Sequence, residues 1–291
     1  MKIECVVEIA AGLGEGPFWS VRDACLYWFD MYLPAIYRYR PDSGENERLP
    51  LADVSQIGVL IQRCNGGFVL GVPDGLALLD PVNGELTPLT DPREDRDGVF
   101  FNDAKADRQG RLWINTYHVS ETKPVSTLYR VDPDGTATVA AGGMMLANGP
   151  AFAPDGSVLY LADSTAGMIY SYDMDSASGA LGPQELFAEI WPDAGIPDGM
   201  TVDSEGGLWN AHYEAARLTR YLPDGEVDLT VTLPVPNVTS CMFGGPDLAT
   251  LYVTSATSGL SASELADAPL SGGLFAIETG FNGLPEPEFA G

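Results

Sequence analysis

The chain has 291 residues, 41 acidic against 15 basic side chains, a formal net charge of −26 and 45% hydrophobic residues. That apolar fraction can build a sizeable core and excludes a disordered chain. A surface this acidic repels phosphate backbones and anionic headgroups, so neither nucleic acid nor a membrane surface is expected as a partner.

Residues 1–9 carry Glu4 and Glu8 and lack a basic start followed by an apolar core, so no secretory leader is expected. No apolar run approaches the roughly 20 residues of a membrane helix. Cys5, Cys25, Cys64 and Cys241 are scattered with no C-x-x-C pair, which fits reduced thiols in a cytoplasm better than a disulfide framework or a structural zinc site. Residues 3–9 read as a strand. Residues 16–30 (GPFWSVRDACLYWFD) then open a unit that recurs down the chain: a small residue and an apolar run, a turn, an L-Y or L-W strand, and a third strand, here at 36–39. A weak copy starts at 58. Clear copies follow at 103–116 (DAKADRQGRLWINT), 149–163 (GPAFAPDGSVLYLAD) and 199–211 (GMTVDSEGGLWNA), and another weak one at 240. A short helix is expected over residues 262–267.

The anchors at 16, 58, 103, 149, 199 and 240 are 42, 45, 46, 50 and 41 residues apart. That interval suits four-stranded propeller blades. The last copy supplies about three strands, so the strand at 3–9 is expected to complete it and close the ring, leaving no sheet edge open to aggregation. The expected fold is all-β, a single six-bladed propeller over residues 1–291.

In a propeller the first strand of each blade lines the central channel, and the residue just before it stands at one mouth. Around the ring that position reads Glu15, Ile57, Asn102, Asn148, Asp198 and Thr239. Each Asn-Gly, Asp-Gly or Glu-Gly dipeptide alone is ordinary turn chemistry. Four carboxylate or carboxamide side chains converging on one axis are not. Such oxygens without thiolates suit Ca²⁺, Mg²⁺ or Mn²⁺, with Zn²⁺ possible through the carboxylates. The ends of the second strands return to the same mouth, bringing Asp30 and Met31, Tyr117 and His118, Asp163 and Ser164, and His212 and Tyr213.

Five ordered motifs carry a resemblance: LGEGPFW at 13–19, FNDAKADRQGRLW at 101–113, NGPAFAPDGSVLYLADS at 148–164, PDGMTVDSEGGLW at 197–209 and SCMFGGPDLATLYVTSA at 240–256. Together they resemble the SMP-30/gluconolactonase/regucalcin family over nearly the whole chain. The resemblance implies a six-bladed propeller holding one catalytic divalent metal (Ca²⁺, Zn²⁺ or Mn²⁺) and hydrolysing sugar lactones. Matched by motif, it makes Glu15, Asn148 and Asp198 the metal ligands and Asn102 a substrate-binding residue. Three positions depart from the family pattern. Phe100 stands where many sugar lactonases have Arg, Asn115-Thr116 replaces a Gly-Thr, and a substrate-binding Glu falls on Ser120 with Glu121 adjacent.

The expected activity is opening of a small lactone, with the metal polarising the carbonyl and Asp198 assisting attack by water. Asn102 and Glu121 would bind the substrate while Phe100 and His118 shape the pocket wall. A phosphotriesterase-like propeller and a non-enzymatic cation-binding propeller are the rival readings. The chain is expected to act as a monomer or weak homo-oligomer on a small molecule.

Overall fold

Each copy of the repeat folds into its own sheet of four antiparallel strands, and six such sheets stand as blades in a ring. The computed structural model describes residues 1–94 and 97–291. The innermost strands, from the first blade to the sixth, are Gly14–Ser20, Val59–Gln62, Val99–Ala106, Ala147–Phe152, Ile196–Val202 and Val238–Gly244. Every one of them contributes to the wall of one central channel, through Gly16, Val59, Asp103, Pro150, Met200 and Ser240 among others. The sixth blade takes its outermost strand from the N-terminus: Lys2–Val7 pairs with Leu274–Glu278, from Lys2 opposite Glu278 to Val7 opposite Leu274. Among the described residues no helix is long and apolar enough to cross a membrane.

The D-x-x-G turns that marked the repeat are held by side-chain chemistry. Asp107 accepts backbone N–H groups from Gln109 and Arg111, the Arg111 guanidinium at 2.6 Å and the indole N–H of Trp113 at 2.7 Å. Asp203 repeats the pattern two blades on, accepting from Glu205 and Gly207, from Trp209 at 2.8 Å and from Arg220 at 2.7 Å. One carboxylate thus closes the turn and fixes the tryptophan that fills the space beside the next blade. The short helix forms at Ala262–Asp267, opened by a capping box between Ser261 and Glu264.

The core lies between blades. Six apolar clusters each join one neighbouring pair: Tyr27 and Phe29 meet Phe68 and Leu70, Trp113 meets Leu159 and Leu161, and Trp209 meets Phe243 and Leu251. Trp28, Trp113 and Trp209 are fully buried. Large side chains of this kind each contribute roughly 1.5–3 kcal/mol from apolar burial. The ring is therefore held by six comparable layers.

The repeat carries no information about the far end of the channel. The C-terminal segment runs across it. Phe289 donates its N–H to Gln62 and its carbonyl accepts from Cys64, both at 2.9 Å, while Ala290 bonds Gly110 at 3.0 Å. Phe289 is fully buried. Glu286 reaches the base of the channel, 3.1 Å from Lys105 Nζ.

Candidate active site

Five of the six innermost strands break register at the same place. The irregularities fall between Glu15 and Phe18, Phe101 and Ala104, Asn148 and Ala151, Pro197 and Met200, and Val238 and Ser240. Val59–Gln62 pairs evenly with its neighbour. A bulge puts an extra residue into the strand and re-aims the side chains beside it. The glycines make this possible: Gly16 and Gly149, which follow Glu15 and Asn148, sit at φ 53° and 81°, where a side chain is strained. The expected position just before each first strand is corrected accordingly. Glu15, Asn102, Asn148, Asp198 and Thr239 lie inside their strands, at or beside the bulge.

Above the bulges opens a cleft of about 300 Å³. Glu15, Asn102, Asn148 and Asp198 all line it, together with Glu121 and Ser164, the tyrosines Tyr32, Tyr117 and Tyr213, Glu214 and the apolar Leu13, Met31, Leu146 and Ile196. Asn102 donates through Nδ2 to the Ala147 carbonyl at 2.9 Å and to Asn148 Oδ1 at 3.0 Å, which joins blades three and four. Asn148 donates its own Nδ2 to Ser164 Oγ at 3.0 Å. Asn210 holds the backbone carbonyl of Asp198 at 2.8 Å.

Burial is the main influence on the acidic groups. It lifts the Glu15 carboxyl well above the usual carboxylate range, and the charges of Asp198 and then Asp103 push it further. Asp198 is raised in the same way, by burial and then by Asp103. Asp103, partly open to the channel beneath, is pushed up to about 6 by burial; the Gly149 N–H and Lys105 act against that rise. Among the described residues no basic side chain lines the cleft. Two dry carboxylates without a counter-charge, flanked by amide oxygens, fit a hard divalent cation, which would favour their ionised forms. Among the described residues no three His, Cys, Asp or Glu side chains cluster as a ligand set. A cation here would rest on carboxylates and amides together.

The other expected site residues are distributed unequally. Glu121 lines the cleft from the turn after the strand Leu112–His118, at a φ of 50° that a non-glycine residue rarely adopts. His118 stands outside the cleft lining and organises that turn: its Nδ1 accepts from the Ser120 N–H at 3.0 Å and its Nε2 lies 2.9 Å from Lys123 Nζ. Phe100 also stands outside, tilted against the ring of Tyr117 with centroids 6.2 Å apart, so Tyr117 is the aromatic wall and Phe100 its backing. Ile57 is buried, and Thr239 is spent on the Gly14 carbonyl at 2.6 Å. Asp30 and Asp163 accept backbone N–H groups from residues 12–13 and 145–146, as ordinary turn-holding carboxylates do. His212 bonds the Ala194 carbonyl at 2.7 Å, away from the cleft lining.

Asp103, Tyr32, Glu214 and Ser258 were not anticipated. Asp103 had a signal: it follows Asn102 directly, and at a bulge the alternation that would turn one of two neighbours away from the axis is lost. Tyr32, Glu214 and Ser258 arrive on connections between strands, where the repeat carries no information.

A family model described as "SMP-30/Gluconolactonase/LRE-like region" matches residues 13–257. The chain is 38% identical to a 6-deoxy-6-sulfogluconolactonase of Pseudomonas putida over 99% of each sequence, and 35% identical to a pentonolactonase of Haloferax volcanii over 98% of this chain and 97% of that one. Among solved structures it superposes on a calcium-binding protein, regucalcin, from Agrobacterium tumefaciens with a TM-score of 0.91, at 27% identity over 98% of this chain and 96% of the other.

Proposed function

Since the chain belongs to the SMP-30/gluconolactonase/LRE-like family, we propose that it is a hydrolase that opens the ring of a small lactone to the hydroxy acid, using a divalent cation held by Glu15, Asn148 and Asp198. The observation that carries this is the meeting of two buried, uncompensated carboxylates and two amides in one open cleft. The relatives named for acting on sugar-derived lactones support the substrate class.

When bound, the cation would polarise the lactone carbonyl and offset the charge that develops on its oxygen. Asp198 would take the proton from the attacking water as its oxygen bonds to the carbonyl carbon, and return it to the ring oxygen as the ester C–O bond breaks, giving the hydroxy acid. Glu15 supplies the second negative charge of the ligand set. Asn102, with both its Nδ2 bonds directed at blade four, holds the ring of the substrate against the Asn148 side. Tyr117 and Glu121 form the adjoining wall, Phe100 backs Tyr117, and His118 sets the turn that presents Glu121. Tyr32, whose hydroxyl is pushed up to about 12 by burial, stays protonated and serves as a hydrogen-bond donor to a substrate oxygen, whereas Tyr213 spends its one proton on the Ser258 carbonyl at 2.8 Å and shapes the wall.

The test is a panel of sugar and alkyl lactones followed by acid release, run on chelated protein and after readdition of Ca²⁺, Zn²⁺ or Mn²⁺ separately. Turnover that vanishes on chelation and returns with one ion is expected. Equal turnover with and without cation would overturn the metal assignment, and no turnover on any lactone would overturn the activity.

A further inference from the structure

We propose that Ser164 is a positioning residue: it decides which atom of the Asn148 amide faces the cleft, and it ties that amide to the strand bearing Asp198. The inference rests on the cation site proposed above. Nothing in the repeat or in the family motifs gives Ser164 that task, and its side chain is almost completely buried at the end of the strand Val158–Asp163.

The argument is one of proton direction. A serine hydroxyl has a single proton to donate. That of Ser164 goes to the Pro197 carbonyl at 2.6 Å, an acceptor with no proton to give back. Toward Asn148 the oxygen therefore offers only lone pairs, and the group it meets 3.0 Å away must be the amide NH₂. On the other side, Asn102 is fixed in the same manner, since its Nδ2 donates to the Ala147 carbonyl at 2.9 Å. The remaining proton of that Nδ2 points at Asn148 and requires an oxygen there, 3.0 Å away. Two backbone carbonyls, one in blade four and one in blade five, thus set the direction of the whole relay. The amide of Asn148 is thereby held with Oδ1 toward Asn102 and Nδ2 toward Ser164, and the second lone pair of that Oδ1 is what the amide has left to offer a hard cation. A flipped amide would set oxygen against oxygen at Ser164 and NH₂ against NH₂ at Asn102.

The relay also reaches Asp198. Pro197 precedes it at the bulge of blade five, where the ladder loses register and the carbonyl is taken up by Ser164. Loss of the hydroxyl would take from that buried carbonyl the bond it receives from blade four, beside one ligand, and free the orientation of another. Removing outer partners of metal ligands typically weakens metal affinity 10–100-fold.

The test is titration calorimetry with Ca²⁺, Zn²⁺ and Mn²⁺ separately on the full chain, comparing wild type, Ser164→Ala, Ser164→Thr, Asn148→Asp and the double variant Ser164→Ala/Asn148→Asp. Ser164→Ala is expected to weaken the cation by about 10-fold or more, and Ser164→Thr, which keeps the hydroxyl, by less than about 3-fold. The decisive comparison is the background. A carboxylate at 148 presents oxygen either way round, so there Ser164→Ala should cost less than about 3-fold, a coupling visible in the double-mutant cycle. Unchanged affinity in Ser164→Ala, or an equal loss in both backgrounds, would overturn the positioning role. If Ser164→Ala does not fold, the Thr variant decides, with a loss as large as 10-fold counting against the proposal. A wild-type chain that binds none of the three ions would bring down the metal reading itself, and this inference with it.

Discussion

Asp198, carried by blade five, faces Glu15 of blade one inside a single cleft, and its charge adds to burial in holding the Glu15 carboxyl well above the usual carboxylate range. The two residues belong to different blades and meet only because the ring closes. Their meeting leaves an electrostatic deficit that the proposed divalent cation would remove, and several measurable consequences follow from it.

Glu15→Gln and Asp198→Asn each remove one charge while keeping shape. On the proposed mechanism each should lower lactone kcat/KM by at least about 100-fold, as expected for loss of a ligand charge or of a general base, with an unchanged far-ultraviolet circular dichroism spectrum. Retention of most of the activity by either variant would reject its assignment.

The same deficit predicts opposite effects on stability with and without cation. In chelator, Glu15→Gln should melt higher than wild type at pH 7.5, because it removes a buried repulsion. With cation at 100 times its dissociation constant, wild type should gain about 2.7 kcal/mol and the variant much less. Differential scanning calorimetry under both conditions checks the crossing; parallel shifts would contradict it.

His212 provides a pH signature away from the cleft. Burial, above all, lowers its imidazole to about 4 from an ordinary 6.5. The folded chain thus holds it neutral where the unfolded chain already takes up a proton. Its contribution to stability is complete above pH 6.5 and is lost as pH falls toward 4, on the order of 3 kcal/mol over the window. Denaturant unfolding of His212→Gln from pH 7 to 4 should show a shallower decline than wild type, and identical slopes would exclude the effect.

Tyr117 lines the cleft whereas Phe100 only backs it. Tyr117→Ala should therefore raise KM by about 10-fold, the scale of one lost aromatic contact, and Phe100→Leu by less than about 3-fold. A larger effect at Phe100 than at Tyr117 in steady-state kinetics would place Phe100 in direct contact with the substrate.

At the sealed end, Phe289→Ala empties a fully buried site and should cost about 3–5 kcal/mol in urea unfolding. Lactone turnover at 25 °C should stay within about 2-fold of wild type, because the segment lies at the end of the channel opposite the cleft. A strong loss of kcat in a folded variant would show that the seal also shapes the site.

The sequence alone determined the short helix at residues 262–267 and, separately, the number of blades, the closure by the N-terminal strand and the gathering of Glu15, Asn102, Asn148 and Asp198, since these last follow from turn chemistry and strand alternation recurring at a near-constant interval. Those are local signals, repeated six times. Tertiary structure decided the rest. It put Phe100 and His118 behind the wall, brought Tyr32, Glu214 and Ser258 in from the connecting loops, turned Asp103 into the channel and drew the C-terminal segment across its far end. The reason is physical: a bulge cancels the two-residue rule that tells inward from outward, and a loop has no period at all. Where such side chains point depends on the neighbouring blades they meet.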